Sequence, residues 1–384
     1  MILSEKSTFL LLLNLSKYIT KREKRNFIFL IIQSLLVSFF ETSVIFVLAP
    51  FLTLLVSPNL IPDNNFIFNF LNTRFDSNHI YLLGSLLVFL AISSAIMRST
   101  YLYNERKFAA KIGTKLSLKA YSNVIRQPLS FHIDSKSSNI ISNLTYINLL
   151  ITGILQPVFQ IISTTILAFG IVFTILYIYP KESIFMLTIL ISLYSSLSIL
   201  FRRKIKKTSN LSDVYTKSLL KLQTESLRSI KEIILGDFYN YFEKKYYKLD
   251  KPLRKLGVQI SILATLPRYI IESLAIALIS IISMYFVSMS KNSEVLVVLG
   301  VLALAFQRLL PTVQQLYGSL VTLGSNKYTL IGILDLLKNN LKVEFKNEEI
   351  VFNKIKIKEI HLKNVTFKYK DQTLALKGID LSIY

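Results

Sequence analysis

The sequence has no cysteine, no tryptophan and only three histidines, and its 23 acidic residues number about half its 45 basic ones. Without cysteine there is no disulfide framework, no thiol nucleophile and no Cys-based zinc site. His79, His132 and His361 are widely scattered, so a metal site is not expected. A cleavable leader is not expected either. Leu10 to Leu13 form a short apolar run, but Lys6 alone precedes it, while Lys17, Lys21, Arg22, Lys24 and Arg25 follow it, the wrong charge order for a secretory signal. Residues 1–26 read instead as an amphipathic segment lying along a membrane surface with its basic side near anionic headgroups.

What the chain does have is apolar length. Over 384 residues, 52% are hydrophobic, only 18% are charged, mean hydropathy is +0.48, and the net charge is nevertheless +22. That pairing is characteristic of a membrane protein with basic inner loops. A nucleic-acid binder could be as basic, but its charges would not be separated by apolar runs of about 20 residues or more. Six such segments occur, at roughly 27–56, 80–103, 150–179, 183–201, 258–289 and 295–317. Each can cross a hydrocarbon core of about 30 Å once as a helix. Of the 45 lysines and arginines, 39 fall in residues 1–26, 104–149, 202–257 and 318–384. By the positive-inside rule these stretches, and both termini, are expected in the cytoplasm. The outer connections near Pro180–Glu182 and Ser290–Glu294 are short, whereas the inner stretches 104–149 and 202–257 are long and poor in proline and glycine. Spans two to five are therefore expected to continue inward as long paired helices. After 337 the pattern changes. A linker over 338–354 leads to 355–384, where Val365, Phe367 and Tyr369, then Ile379, Leu381 and Ile383, alternate with polar residues as strands do.

Six spans, two long inner hairpins and a strand-rich end together resemble an ABC exporter of the flippase and multidrug class. QPLSFHIDSKSSNIISNLTYINLLITGIL, residues 127–155, is similar to that family's first intracellular hairpin. LLKLQTESLRSIKEIILGDFYNYFEKKYYK, residues 219–248, is similar to the second. The resemblance implies that Phe131, His132, Asp134, Ser135, Glu225 and Arg228 couple the membrane helices to ATPase domains. It also implies that residues 355–384 begin such a domain, and that Tyr369 in VTFKY stacks on the adenine of ATP; packing within the sheet is the alternative role for this ring. Phosphate binding needs a loop of the form G-x-x-x-x-G-K-[ST], with Mg²⁺ alongside, and residues 1–384 contain no such string. The sequence is thus expected to stop inside the ATPase domain and not to hydrolyse ATP by itself. A half-transporter of this family implies a partner, a second copy of the chain, and a bacterial inner membrane as its location.

Three arginines lie within apolar segments: Arg98, Arg268 and Arg308. An arginine at the bilayer centre costs roughly 2.5–3.5 kcal/mol on insertion scales, so these either snorkel to an interface or face a polar interior. Arg308 favours the interior, because Gln307, Pro311, Gln314 and Gln315 surround it. Glu41 and Glu272 are the acids within the spans. Glu272 follows Arg268 by four residues and can pair with it along one helix face, while Glu41 has no partner nearby in sequence. FFETSVIFVLAPFLTLL, TLPRYIIESLAIAL and LALAFQRLLPTVQQL are similar to spans of bacterial lipid-linked oligosaccharide flippases. That resemblance implies an anionic, polyprenyl-pyrophosphate-linked substrate held by Arg98, Arg268 and Arg308, with Glu41 and Glu272 beside them. A different exported amphiphile, or a channel or scaffold that never uses ATP, is the alternative.

Overall fold

The computed structural model describes residues 8–56, 78–127, 147, 149–288, 292–338, 359–368 and 374–384, and divides into two units, Met1–Leu341 and Lys342–Tyr384. In the first unit, α1 (Thr8–Ser16), α2 (Lys21–Val56) and α3 (Asn78–Ile125) precede a π-helical turn at Ile151–Leu155. α4 (Gln156–Ile178), α5 (Pro180–Arg228), α6 (Ile230–Leu235), α7 (Tyr239–Ser288), α8 (Asn292–Ser325) and α9 (Lys327–Lys338) follow. Among the described residues, four helices are long and apolar enough to cross a membrane, over Lys21–Leu55, Ile80–Ile125, Ile151–Ile178 and Val297–Ser325. The other two expected segments, 183–201 and 258–289, fall mainly in α5 and α7, unbroken helices of 49 and 50 residues. At about 1.5 Å per residue each is more than twice as long as a bilayer core is thick, so much of each must lie beyond the apolar layer.

Local chemistry sets where the helices start and stop. At the start of α2, the Glu23 carboxylate accepts the Thr20 backbone N–H at 2.7 Å, the reciprocal half of a Thr-x-x-Glu capping box. The same carboxylate takes Lys115 Nζ of α3 at 2.7 Å and ties the two helices together. Pro180 occupies the first turn of α5, where its missing N–H costs nothing, so a single residue, Tyr179, reverses the chain. Ser183 reinforces that reversal by donating its hydroxyl to the Ile175 carbonyl at 2.9 Å. The π turn lies just upstream of Pro157, which cannot donate to the preceding turn, and the Gln156 N–H reaches back to the Ile151 carbonyl. α6 ends in a Schellman-type turn, with Phe238 N–H on the Ile233 carbonyl at 3.1 Å and Asp237 at φ 50°.

α2 packs between α3 and α4, α8 packs against α2, α4, α5 and α7, and α5 runs beside α7. One buried cluster joins α1, α3, α4 and α9 around Leu11, Ile112, Leu116, Ile154 and Leu334. A second joins α2, α4, α5 and α8 around Ile45, Ile171, Leu190, Ala305 and Leu309. α1 contains no basic residue, and Leu11 and Leu15 are buried in the protein, while Phe9, Leu10 and Leu13 face outward.

The second unit is an antiparallel hairpin of β1 (Ile360–Lys368) and β2 (Leu374–Ile383), pairing Ile360 with Ile383 and Leu362 with Leu381. The register shifts beyond Leu362, where Asn364 and Gly378 both take positive φ and the Asn364 N–H donates to the Asp380 carboxylate at 2.7 Å. A Cβ on Gly378 would come within 2.9 Å of Asn364 Oδ1, so glycine is needed there for space as well as for φ. Apart from half-buried Val365, the described residues of both strands are exposed.

Candidate substrate-binding cavity

Glu41 lies midway along α2, and burial leaves its carboxyl only 7% exposed. Arg98 of α3 places Nη1 3.0 Å from Glu41 Oε1, an ion pair across two helices. Arg308 of α8 donates from Nη1 to the backbone carbonyl of Glu41 at 3.3 Å. Thr42 also hydrogen-bonds into its own helix here, through the Ser38 carbonyl, so the Arg308 bond adds a polar contact to a helix whose backbone is otherwise internally paired. Residues from three distant parts of the chain thus meet at one point.

These groups border a cavity of about 400 Å³, completed by Ser94, Gln307, Pro311 and Thr312. Two guanidinium groups and one carboxylate leave it a formal charge of +1. Each arginine uses one nitrogen in the bonds described, and a guanidinium carries five N–H donors, so each retains donors for a planar oxyanion. Arg98 is half-exposed and Arg308 half-buried.

The structure does not bring all the expected residues together. Arg268 of α7 lies with its Nε 3.4 Å from Glu272 Oε2, one turn along its own helix, and both side chains are about half-exposed. Among the described residues it borders neither of the two cavities that Arg98 lines, so two of the three expected arginines, Arg98 and Arg308, meet at this point. The i,i+4 geometry explains why, since the nearest carboxylate to Arg268 is on its own helix. Glu225 and Arg228 lie on the exposed end of α5, where Lys221 approaches Glu225 at 3.6 Å. Phe131, His132, Asp134, Ser135 and Tyr369 lie outside the described residues.

Sequence reasoning missed a second cavity. It has a volume of about 140 Å³ and is shared between α2, α3, α4 and α8, with Glu41, Arg98, Tyr101, Glu105, Gln160 and Gln315 in its lining. Glu105 is buried and makes no hydrogen bond or ion pair among the described residues. Its signal was spacing, because Arg98, Tyr101 and Glu105 recur at i, i+3 and i+7 on one face of α3. A third cavity, of about 270 Å³, continues from Gln160 and Gln315 to Gln156, Gln314, Thr265 and Thr322.

The family model described as the ABC transporter transmembrane region matches residues 27–311, from the apolar part of α2 to Pro311 in α8.

Proposed function

The chain belongs to the ABC transporter transmembrane region family and is thus a multi-pass membrane subunit of a transporter; we propose that its cargo is a lipid with a phosphate-bearing head, of the lipid-linked oligosaccharide kind. The observation that carries this reading is the meeting of Arg98 and Arg308 around Glu41 in a cavity of net positive charge. A guanidinium stays charged at any relevant pH and grips phosphate oxygens with paired N–H donors, so two from separate helices suit an anionic head better than a neutral drug.

In the proposed arrangement, two copies of the chain form a twelve-span exporter in a bacterial inner membrane, with α5 and α7 supplying the fourth and fifth spans of each copy. The hairpin 360–383 contributes to a nucleotide-binding domain whose ATP and Mg²⁺ supply the energy, and Tyr369 is the candidate adenine contact. Its exposed apolar residues Leu362, Phe367, Leu376 and Leu381 support that role, because a two-stranded hairpin is only marginally stable by itself. Closure of two such domains would then bias the helices between inward-open and outward-open arrangements.

The test is ATPase stimulation of the transporter in proteoliposomes by a polyprenyl-pyrophosphate glycan. Stimulation in the parent and its loss in Arg308→Ala are expected, with basal hydrolysis retained. No stimulation in the parent, or full stimulation of Arg308→Ala, would remove the anionic-lipid reading while leaving the family assignment intact.

A further inference from the structure

The charged cavity continues into a lane of different chemistry. Along α8, Arg308, Thr312, Gln315, Ser319 and Thr322 recur every three or four residues and mark one polar face of an otherwise apolar helix. Arg308 and Gln315 are seven residues apart, or about 10 Å along the axis. On α3 the same separation takes Arg98 to Glu105. The three cavities share walls in order: Glu41 and Arg98 border both the first and second, and Gln160 and Gln315 border both the second and third. The character of the wall changes from cationic at Arg308 to uncharged at Gln314.

The hydrogen bonds along this lane are lopsided. The hydroxyls of Thr164, Ser319 and Thr322 each donate to a carbonyl of their own helix, leaving their oxygens free to accept. Glu105 is an acceptor when ionised, and it is buried without a hydrogen-bond or ion-pair partner among the described residues. The side-chain amides of Gln156, Gln160, Gln314 and Gln315 likewise make no hydrogen bond to the chain among the described residues, and all four border the third cavity. The four glutamines are half-buried, so their amides and the Glu105 carboxyl face the cavities open to exchange, where the hydroxyls of a ligand can take the place of water.

A ligand that satisfies this wall offers several O–H donors and also accepts from amide N–H groups, with no net charge. We propose that the glutamine-lined lane between α4, α7 and α8 is a separate subsite for a neutral polyhydroxyl group, such as one or two sugar rings, with Glu105 accepting from a hydroxyl where the lane joins the arginine cavity. Taking the sugar to be part of the same amphiphile as the phosphate rests on the proposed function above. The hydroxyl subsite itself stands on the wall chemistry. About 140 Å³ at the junction is close to the size of cavity that holds one six-membered ring, and the 270 Å³ beyond it extends the space.

Two probes separate the two ideas. Decyl phosphate carries the anion without the sugar, and decyl glucoside carries the sugar without the anion. Binding of each to the chain in lipid nanodiscs is measured for the parent, Gln160→Leu, Gln315→Leu, the double variant and Arg308→Ala. Leucine keeps most of the volume and removes the amide. The double variant is expected to bind decyl glucoside about tenfold more weakly, a loss that two hydrogen bonds of ordinary net strength account for, and to bind decyl phosphate as the parent does. Arg308→Ala is expected to show the opposite pattern. No parent binding of decyl glucoside, or binding indifferent to both glutamines, overturns the subsite and shows that the lane holds only water. Equal weakening of both probes in the single and double glutamine variants assigns those residues to packing and also overturns it. Decyl phosphate binding that ignores Arg308 overturns the anionic reading alone.

Discussion

Arg98 and Glu41 do not contribute equally to their ion pair. The Glu41 carboxyl is 7% exposed and the Arg98 side chain 52%, so only one of the two charges depends on its partner. Removing Arg98 leaves a buried carboxylate without its cation, whereas neutralising Glu41 leaves a guanidinium that can turn outward on its flexible stem. Arg98→Met is therefore expected to destabilise the chain by about 1–3 kcal/mol, and Glu41→Gln by less than about 1 kcal/mol. Thermal unfolding in nanodiscs measures both, and equal losses would contradict the asymmetry. The double variant is expected to recover part of the Arg98→Met loss, because no lone charge then stays buried. At this scale Glu41, Arg98 and Arg308 were legible in the sequence, since a charge inside an apolar run stands out. Their partners were not. Arg98 and Glu41 are 57 positions apart, and only helix phase and packing decide that they meet while Arg268 turns to Glu272. Glu105 was hidden for a different reason, since it follows Asn104 and precedes Arg106 and Lys107, where the apolar run gives way to a charged stretch that reads as solvated.

Helices α2 and α4 are held close by the absence of one side chain. A Cβ on Gly170 would meet Ser38 Oγ and lie 2.9 Å from Thr42 Cγ2 of the facing helix. Gly170→Ala is expected to weaken this contact by overpacking, about 1–3 kcal/mol, reduced by the roughly 1 kcal/mol that alanine gains over glycine within a helix. Adding Ser38→Ala removes the nearer of the two atoms, at the loss of the Ser38 hydroxyl's bond to the Ile166 carbonyl, and is expected to recover part of the lost stability. If the double variant unfolds no later than Gly170→Ala alone, the close approach is not what requires glycine. Element by element, the lengths and apolar character of α2, α3, α4 and α8 were legible from hydropathy, and the α4–α5 reversal from Pro180. The π turn at Ile151–Leu155 was not legible, because ITGIL carries no periodic mark that separates a widened turn from an ordinary one. The close of α6 was not legible either, because the positive φ that ends it falls on Asp237 and not on the neighbouring Gly236.

Taken whole, the charge pattern predicts an orientation, and the lack of cysteine in residues 1–384 lets a thiol introduced in this stretch report on it. If α5 crosses the membrane, its two ends must lie on opposite sides, even though its shorter apolar stretch, Leu187–Phe201, is less than a full span by composition alone. The basic residues after Phe201 argue that it does cross, because Arg203, Lys204, Lys206 and Lys207 would hold that end in the cytoplasm. Lys181→Cys and Ser229→Cys place one thiol near each end of the helix. In intact cells a membrane-impermeant maleimide is expected to label position 181 and to miss position 229 until the cells are permeabilised. Labelling of both positions from outside would mean that α5 does not cross, and the six-span arrangement on which the proposed twelve-span dimer depends would fail with it. Labelling of neither until permeabilisation would lead to the same conclusion from the other side. Labelling of the two ends from opposite sides would add the span that the shorter apolar stretch left open.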